Sequence, residues 1–121
     1  MDKYTSGELE DARKIVSSAI SRCEKSQPKF AEGTSQSTLL KNRIKALYIS
    51  KALIENEDTH DKYSKNDLEK AIAPVASIIS KCQKAQVKFK EGTQNHTRFK
   101  NMIKAMTVSK TLIEEEISTR D

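Results

Sequence analysis

The sequence predicts an all-α protein, a four-helix up-down-up-down bundle built from two tandem homologous αα-hairpins. Three observations carry that expectation. Residues 4–57 align without a gap onto residues 63–116, a constant shift of 59, and roughly half of the aligned positions are identical. Apolar residues recur at heptad spacing in both halves, the mark of a helix packed along one stripe. Helix-breaking residues are scarce, with Gly 3 and Pro 2, and the aromatic content of 5% without Trp leaves a core of Ile, Leu, Val, Ala and Met. Such a core suits helices.

A chain of 121 residues has room for one domain, 1–121, with one modest core, and either half alone is marginal. The two hairpins, 4–57 and 63–116, are therefore expected to pack together. Pairing across a homodimer by domain swapping is the alternative.

Each element has its own signals. Thr5 followed by Glu8 is a capping box that starts a first helix, whose stripe is Leu9, Val16, Cys23 and Phe30, with Ala12, Ile20 and Gln27 between. Gly33 is expected to end it in the left-handed conformation. Thr34 then caps a second helix, carrying Leu40, Ile44, Leu47 and Ile54, that runs to about Glu57. A link of a few residues, 58–62, is too short to separate domains.

The second half repeats these signals. Ser64 and Asp67 form the next capping box, followed by Leu68, Val75, Cys82 and Phe89, with Gly92 as the stop. Pro74 lies well inside this third helix and is expected to kink it. Thr93 caps a fourth helix with Phe99, Ile103, Met106 and Ile113, ending near Glu116. Acidic residues at the ends of the second and fourth helices have the wrong sign for the macrodipole, so helix stability does not account for them.

Charge supplies the functional expectation. The net charge is +5, of which 1–60 holds +1 and 61–121 holds +4. Lys25, Lys29, Lys41 and Lys45 recur as Lys84, Lys88, Lys100 and Lys104, and up-down order brings both hairpin tips to one end. Acids collect at the other end: Glu8, Glu10, Glu55, Glu57, Asp58, Asp61 and Glu114 to Glu116. These eight lysines, with Asn42 and Asn101, are expected to dock an acidic protein partner, which makes the chain a small non-catalytic binding or regulatory protein. Binding of a nucleic-acid backbone by the same surface is the alternative. Base stacking is not expected, because Phe30, Phe89 and Phe99 fall on the apolar stripe.

The remaining residues point to structure rather than chemistry. There is no GxxxxGK[ST], nucleophile elbow or HExxH, and nothing calls for a cofactor or metal. Lys51 and Lys110 sit at the stripe's edge with Glu55 and Glu114 one turn on. Gln27 and Gln86 are expected to be buried and to fix register, and Cys23 and Cys82 to be buried thiols. His60, among Glu57, Asp58 and Asp61, and His96 read as solvated loop residues. No run approaches membrane-spanning length, and the acidic N-terminal stretch is unlike a signal peptide, so a cytosolic setting is expected.

Overall fold

The computed structural model describes residues 3–120. They form α1 (Ser6–Ser26), α2 (Ser35–Ile54), α3 (Lys65–Gln86) and α4 (Gln94–Thr119). Both capping boxes are made. The Thr5 hydroxyl accepts the Glu8 N–H at 3.1 Å while Glu8 accepts the Thr5 N–H at 2.9 Å, and Ser64 and Asp67 repeat the exchange at 3.0 Å each way. Thr34 and Thr93 cap α2 and α4, as their position after the glycines predicts.

Each helix packs against its two neighbours around the bundle, and the hairpins pack on each other within one chain. The four-helix expectation is met. The cross-section is a rhombus: the backbone of α2 also comes close to that of α4 across one diagonal, whereas the backbones of α1 and α3 stay farther apart. Small buried residues explain the short diagonal. Ala46 and Ser50 on α2, and Ala105 and Ser109 on α4, are 2% exposed or less, and small side chains let helix axes approach. Each buried serine satisfies itself, Ser50 donating to the Ala46 carbonyl at 2.8 Å and Ser109 to the Ala105 carbonyl at 2.9 Å.

Val16, Leu47, Leu68, Val75, Met106 and Ile113 are fully enclosed, and Ala19, Ile20 and Ile78 are buried just beyond the helix midpoints, so the core fills the middle of the bundle and the part away from the hairpin tips. Toward the tips Cys23, Leu40, Ile44, Cys82, Met102 and Ile103 are only half-buried. The apolar stripes continue into this region, but less of the fold covers them.

Several expectations are corrected. Gly33 and Gly92 do adopt positive φ, 86° and 90°, but α1 and α3 have already ended at Ser26 and Gln86. In the first hairpin Pro28, which has no N–H to continue the ladder, sits in a 3-10 turn, Gln27–Lys29. The glycines instead turn the chain into the threonine caps. Pro74, the residue expected to kink the third helix, lies inside α3 as the sequence places it, and the helix is continuous from Lys65 to Gln86. Gln27 and Gln86 are half-buried rather than enclosed.

The helix ends also differ from expectation. α2 stops at Ile54 in a Schellman motif: Glu57 N–H reaches the Ala52 carbonyl at 2.9 Å and Asn56 N–H the Leu53 carbonyl at 3.1 Å, with Asn56 at φ 59°. α4 has Glu115 at the matching position and continues to Thr119.

The inter-hairpin link is not wholly solvated either. Thr59 is 2% exposed, and Arg120 anchors it, donating to the Thr59 hydroxyl at 3.2 Å, the Tyr63 carbonyl at 2.7 Å and Glu116 at 3.0 Å. Lys51 and Lys110 pair with Glu55 and Glu114 at 3.7 and 3.3 Å, as their one-turn spacing predicts.

Candidate docking end

The two tips are built alike. In each, the threonine hydroxyl donates to the carbonyl three residues back (Thr34 to Ala31, Thr93 to Lys90, both 2.7 Å) and accepts the N–H three residues on (Ser37 at 3.2 Å, His96 at 3.3 Å). This clamp fixes the turn that a positive-φ glycine makes possible. It holds the flanking residues on the outside of the bundle.

All ten residues expected to meet a partner are exposed. Their neighbours divide them. Lys41 pairs with Glu32 at 3.3 Å, Lys45 with Asp67 at 2.8 Å and Lys104 with Glu8 at 3.9 Å. The last two are ties between hairpins: each lysine reaches the capping-box carboxylate of the other hairpin's first helix. Asp67 responds strongly. The Lys45 ammonium, then the Ser64 N–H, hold its carboxyl down at about 2. Glu8 is also lowered, chiefly by the Thr5 N–H, with Lys104 adding to it.

Lys25, Lys29, Lys84, Lys88 and Lys100 have no carboxylate within 4 Å among the described residues. The acids of the far end are largely neutralised, by Lys3 at Glu115, Lys51 at Glu55, Lys62 at Glu57 and Arg120 at Glu116. Polarity therefore comes mainly from uncompensated lysines at the tips. The lysine pairs Lys25/Lys29, Lys41/Lys45, Lys84/Lys88 and Lys100/Lys104 are each spaced four residues apart, which puts both members on one face of a helix. Lys29 and Lys88, however, lie beyond the ends of α1 and α3, so only Lys41/Lys45 and Lys100/Lys104 share a face in this way.

Apolar side chains accompany the lysines. Phe30 is 40% exposed, Phe89 38%, Leu39 68% and Val87 83%. This overturns the placement of Phe30 and Phe89 on the core stripe, because the helical register that would carry them inward ends four and three residues earlier. In the second tip Phe89 stacks on Phe99, centroids 5.9 Å apart. In the first tip position 40 is Leu, and Phe30 is left without a ring partner.

Two clefts run along the sides of the bundle, at matching positions 59 residues apart. Between α2 and α3 a cleft of about 890 Å³ is lined by Phe30, Leu39, Asn42, Arg43, Lys45, Ala46, Ile49, Asp67, Lys70, Ala71, Pro74 and Lys81, among others. Between α1 and α4 the corresponding cleft, lined by Asn101, Lys104, Ala105, Val108, Glu8, Asp11, Ala12, Lys14 and Ile15, has only about 340 Å³. The charges differ as well. Four cations face one carboxylate in the larger cleft, two face two in the smaller.

Arg43, whose counterpart is Met102, is half-buried without a carboxylate partner among the described residues. Its charge reaches the half-buried thiols of Cys23 and Cys82. Burial raises both thiols above the usual cysteine value, with Arg43 and Arg22 pulling the other way. The balance leaves them poor nucleophiles at neutral pH.

The fold and this end define an all-α bundle with an open, basic and partly apolar face. Comparison with protein-family models, curated proteins and solved structures gives no match to the chain. No helix among the described residues is long and apolar enough to cross a membrane.

Proposed function

We propose that the protein is a non-catalytic binding protein that docks an acidic partner at its hairpin-tip end. One observation carries this reading: Lys25, Lys29, Lys84, Lys88 and Lys100 stand exposed and, among the described residues, without carboxylates, beside the exposed Phe30, Val87 and Phe89. Uncompensated charge steers an anionic partner, and adjacent apolar surface gives the encounter something to bury. Lys45 and Lys104 are occupied in holding the hairpins together, and the free lysines carry the recognition. Two half-buried free thiols suit a reducing compartment such as the cytosol.

Exposure of Phe30 and Phe89 favours a second reading, single-stranded nucleic acid, in which lysines track phosphates and the rings stack on bases. Fluorescence anisotropy separates the two. Labelled poly-glutamate and a labelled single-stranded oligonucleotide are titrated against wild type and the triple variant Lys84→Glu, Lys88→Glu, Lys100→Glu. The first reading expects salt-sensitive poly-glutamate binding that weakens about ten-fold or more on reversal, since each lost contact removes part of the electrostatic term. Preference for the oligonucleotide supports the second, and indifference to the reversal overturns both.

A further inference from the structure

We infer that the cleft between α2 and α3 is the seat of an acidic amphipathic helix belonging to that partner, its apolar face on Phe30, Leu39 and Pro74 and its carboxylates on Arg43, Lys70 and Lys81. This deepens the docking reading and rests on it. Three features of the cleft select this occupant.

The first is charge complementarity along a length. The cations are not gathered at one point: Arg43 lies on α2, while Lys70 and Lys81 on α3 are separated by eleven residues, about 16 Å of helix rise. A single-headed anion such as a fatty acid satisfies one of them. A helix with carboxylates on successive turns satisfies them in series. Asp67, the one carboxylate in the lining, is already held by Lys45 and does not repel the ligand.

The second is the apolar surface left uncovered. Leu39 is 68% exposed and Phe30 40%, and the stretch of α2 from 39 to 49 that borders the cleft is about 15 Å long, roughly three helical turns. A helix laid in a groove offers apolar side chains at i, i+3, i+4 and i+7 over that distance. Arg43 adds a planar donor fork that fits carboxylate geometry, half-buried where its desolvation is already met by the fold.

The third is the contrast with the matching cleft. At the matching positions of the sequence, 98 is Arg where the larger cleft has Leu39, and in the smaller cleft position 14 is Lys where the larger has Ala73 and position 11 is Asp where it has Lys70. Phe99 stacks on Phe89 instead of leaving an open ring. The same scaffold thus has one cleft that is small and charge-balanced and one that is large, apolar-floored and cationic. Only the second has the properties of a helix receptor.

The contrast also supplies the test. The probe is a labelled synthetic helix with Leu at i, i+3, i+4 and i+7 and Glu on its flanks, and the control is a scramble of the same composition and charge. The key variant is Leu39→Arg, which copies the residue at the matching position 98, removes apolar surface and adds a positive charge at an exposed position; circular dichroism verifies its fold. The inference expects the helix to bind more tightly than its scramble and Leu39→Arg to weaken it about ten-fold or more, the loss of one well-placed apolar anchor. Ala73→Lys is expected to do the same by filling the cleft. Equal binding of helix and scramble, or unchanged or tighter binding by Leu39→Arg, overturns the cleft as the seat. If poly-glutamate still binds and the tip reversal still weakens it, the docking function stands and the cleft assignment alone is lost.

Discussion

Lys45 on α2 donates to Asp67 at 2.8 Å, and the carboxylate it meets is the one that closes the capping box of α3, its two oxygens divided between the lysine and the Ser64 N–H. Lys104 stands in the same relation to Glu8 at 3.9 Å, with Thr5 taking the other oxygen. Cap and cross-hairpin tie are therefore one unit. Asp67, held at about 2, lies below its value in an unfolded chain, near 4. A carboxylate whose value is depressed by folding contributes stability that is fully present above about 4 and lost as pH falls through about 2. Thermal melts between pH 7 and pH 2 are expected to show Asp67→Asn losing its acid sensitivity over that window relative to wild type. In Lys45→Met, the Asp67 carboxyl titration followed by NMR moves upward but stays below 4, because the Ser64 N–H remains.

Ser50 and Ser109 are buried where α2 meets α4, and their hydroxyls are satisfied within their own helices. Their value to the fold is their size. Ser50→Ala is expected to change stability by less than about 1 kcal/mol, since the Ala46 carbonyl keeps its helical partner. Ser50→Leu, which forces the short diagonal apart, is expected to cost about 3 kcal/mol. Chemical denaturation of the two variants measures the difference, and equal losses would sink the packing account.

Much of the fold was legible in the sequence because its signals are local. Thr5/Glu8 and Ser64/Asp67 start helices by chemistry contained in four residues, and Lys51/Glu55 pair by one-turn spacing. Leu47, Leu68, Val75 and Met106 were readable from period alone. What the sequence did not show depends on distance in space. The heptad count carried Phe30 and Phe89 inward because periodicity does not announce where a helix stops, and Lys45 and Lys104 looked free because their partners lie 22 and 96 residues away. The larger cleft became visible only when α2 and α3 were side by side, although Leu39 against Arg98 and Ala73 against Lys14 were departures from the repeat that could have been read.

Arg120 closes the end opposite the tips. Its side chain is 8% exposed, and the guanidinium holds Glu116, the Tyr63 carbonyl and the Thr59 hydroxyl together, so the last turn of α4 is fastened to the link between hairpins. Arg120→Met keeps the aliphatic stem but removes the guanidinium from Glu116, leaving that carboxylate the Thr59 hydroxyl at 3.4 Å, and is expected to cost about 2 kcal/mol or more, as lost charge-assisted hydrogen bonds do. Hydrogen exchange of amides in 59–63 is expected to accelerate in the same variant. A loss of stability without faster exchange there would mean that Arg120 acts only through α4.

Asn56 ends α2 at φ 59°, a conformation that asparagine tolerates and glycine takes without steric cost. Asn56→Gly is therefore expected to raise stability slightly, by about 0.5 kcal/mol, and Asn56→Val to lower it by about 1 to 2 kcal/mol, since a β-branched side chain is strained there. The same reasoning applies in reverse at position 115. Glu115 is helical inside α4 and pairs with Lys3 at 3.6 Å, so Glu115→Gly is expected to destabilise by about 1 kcal/mol as glycine does in a helix interior. Opposite signs for one substitution at two matching positions are the observable. The same sign at both would show that Asn56 is not what terminates α2.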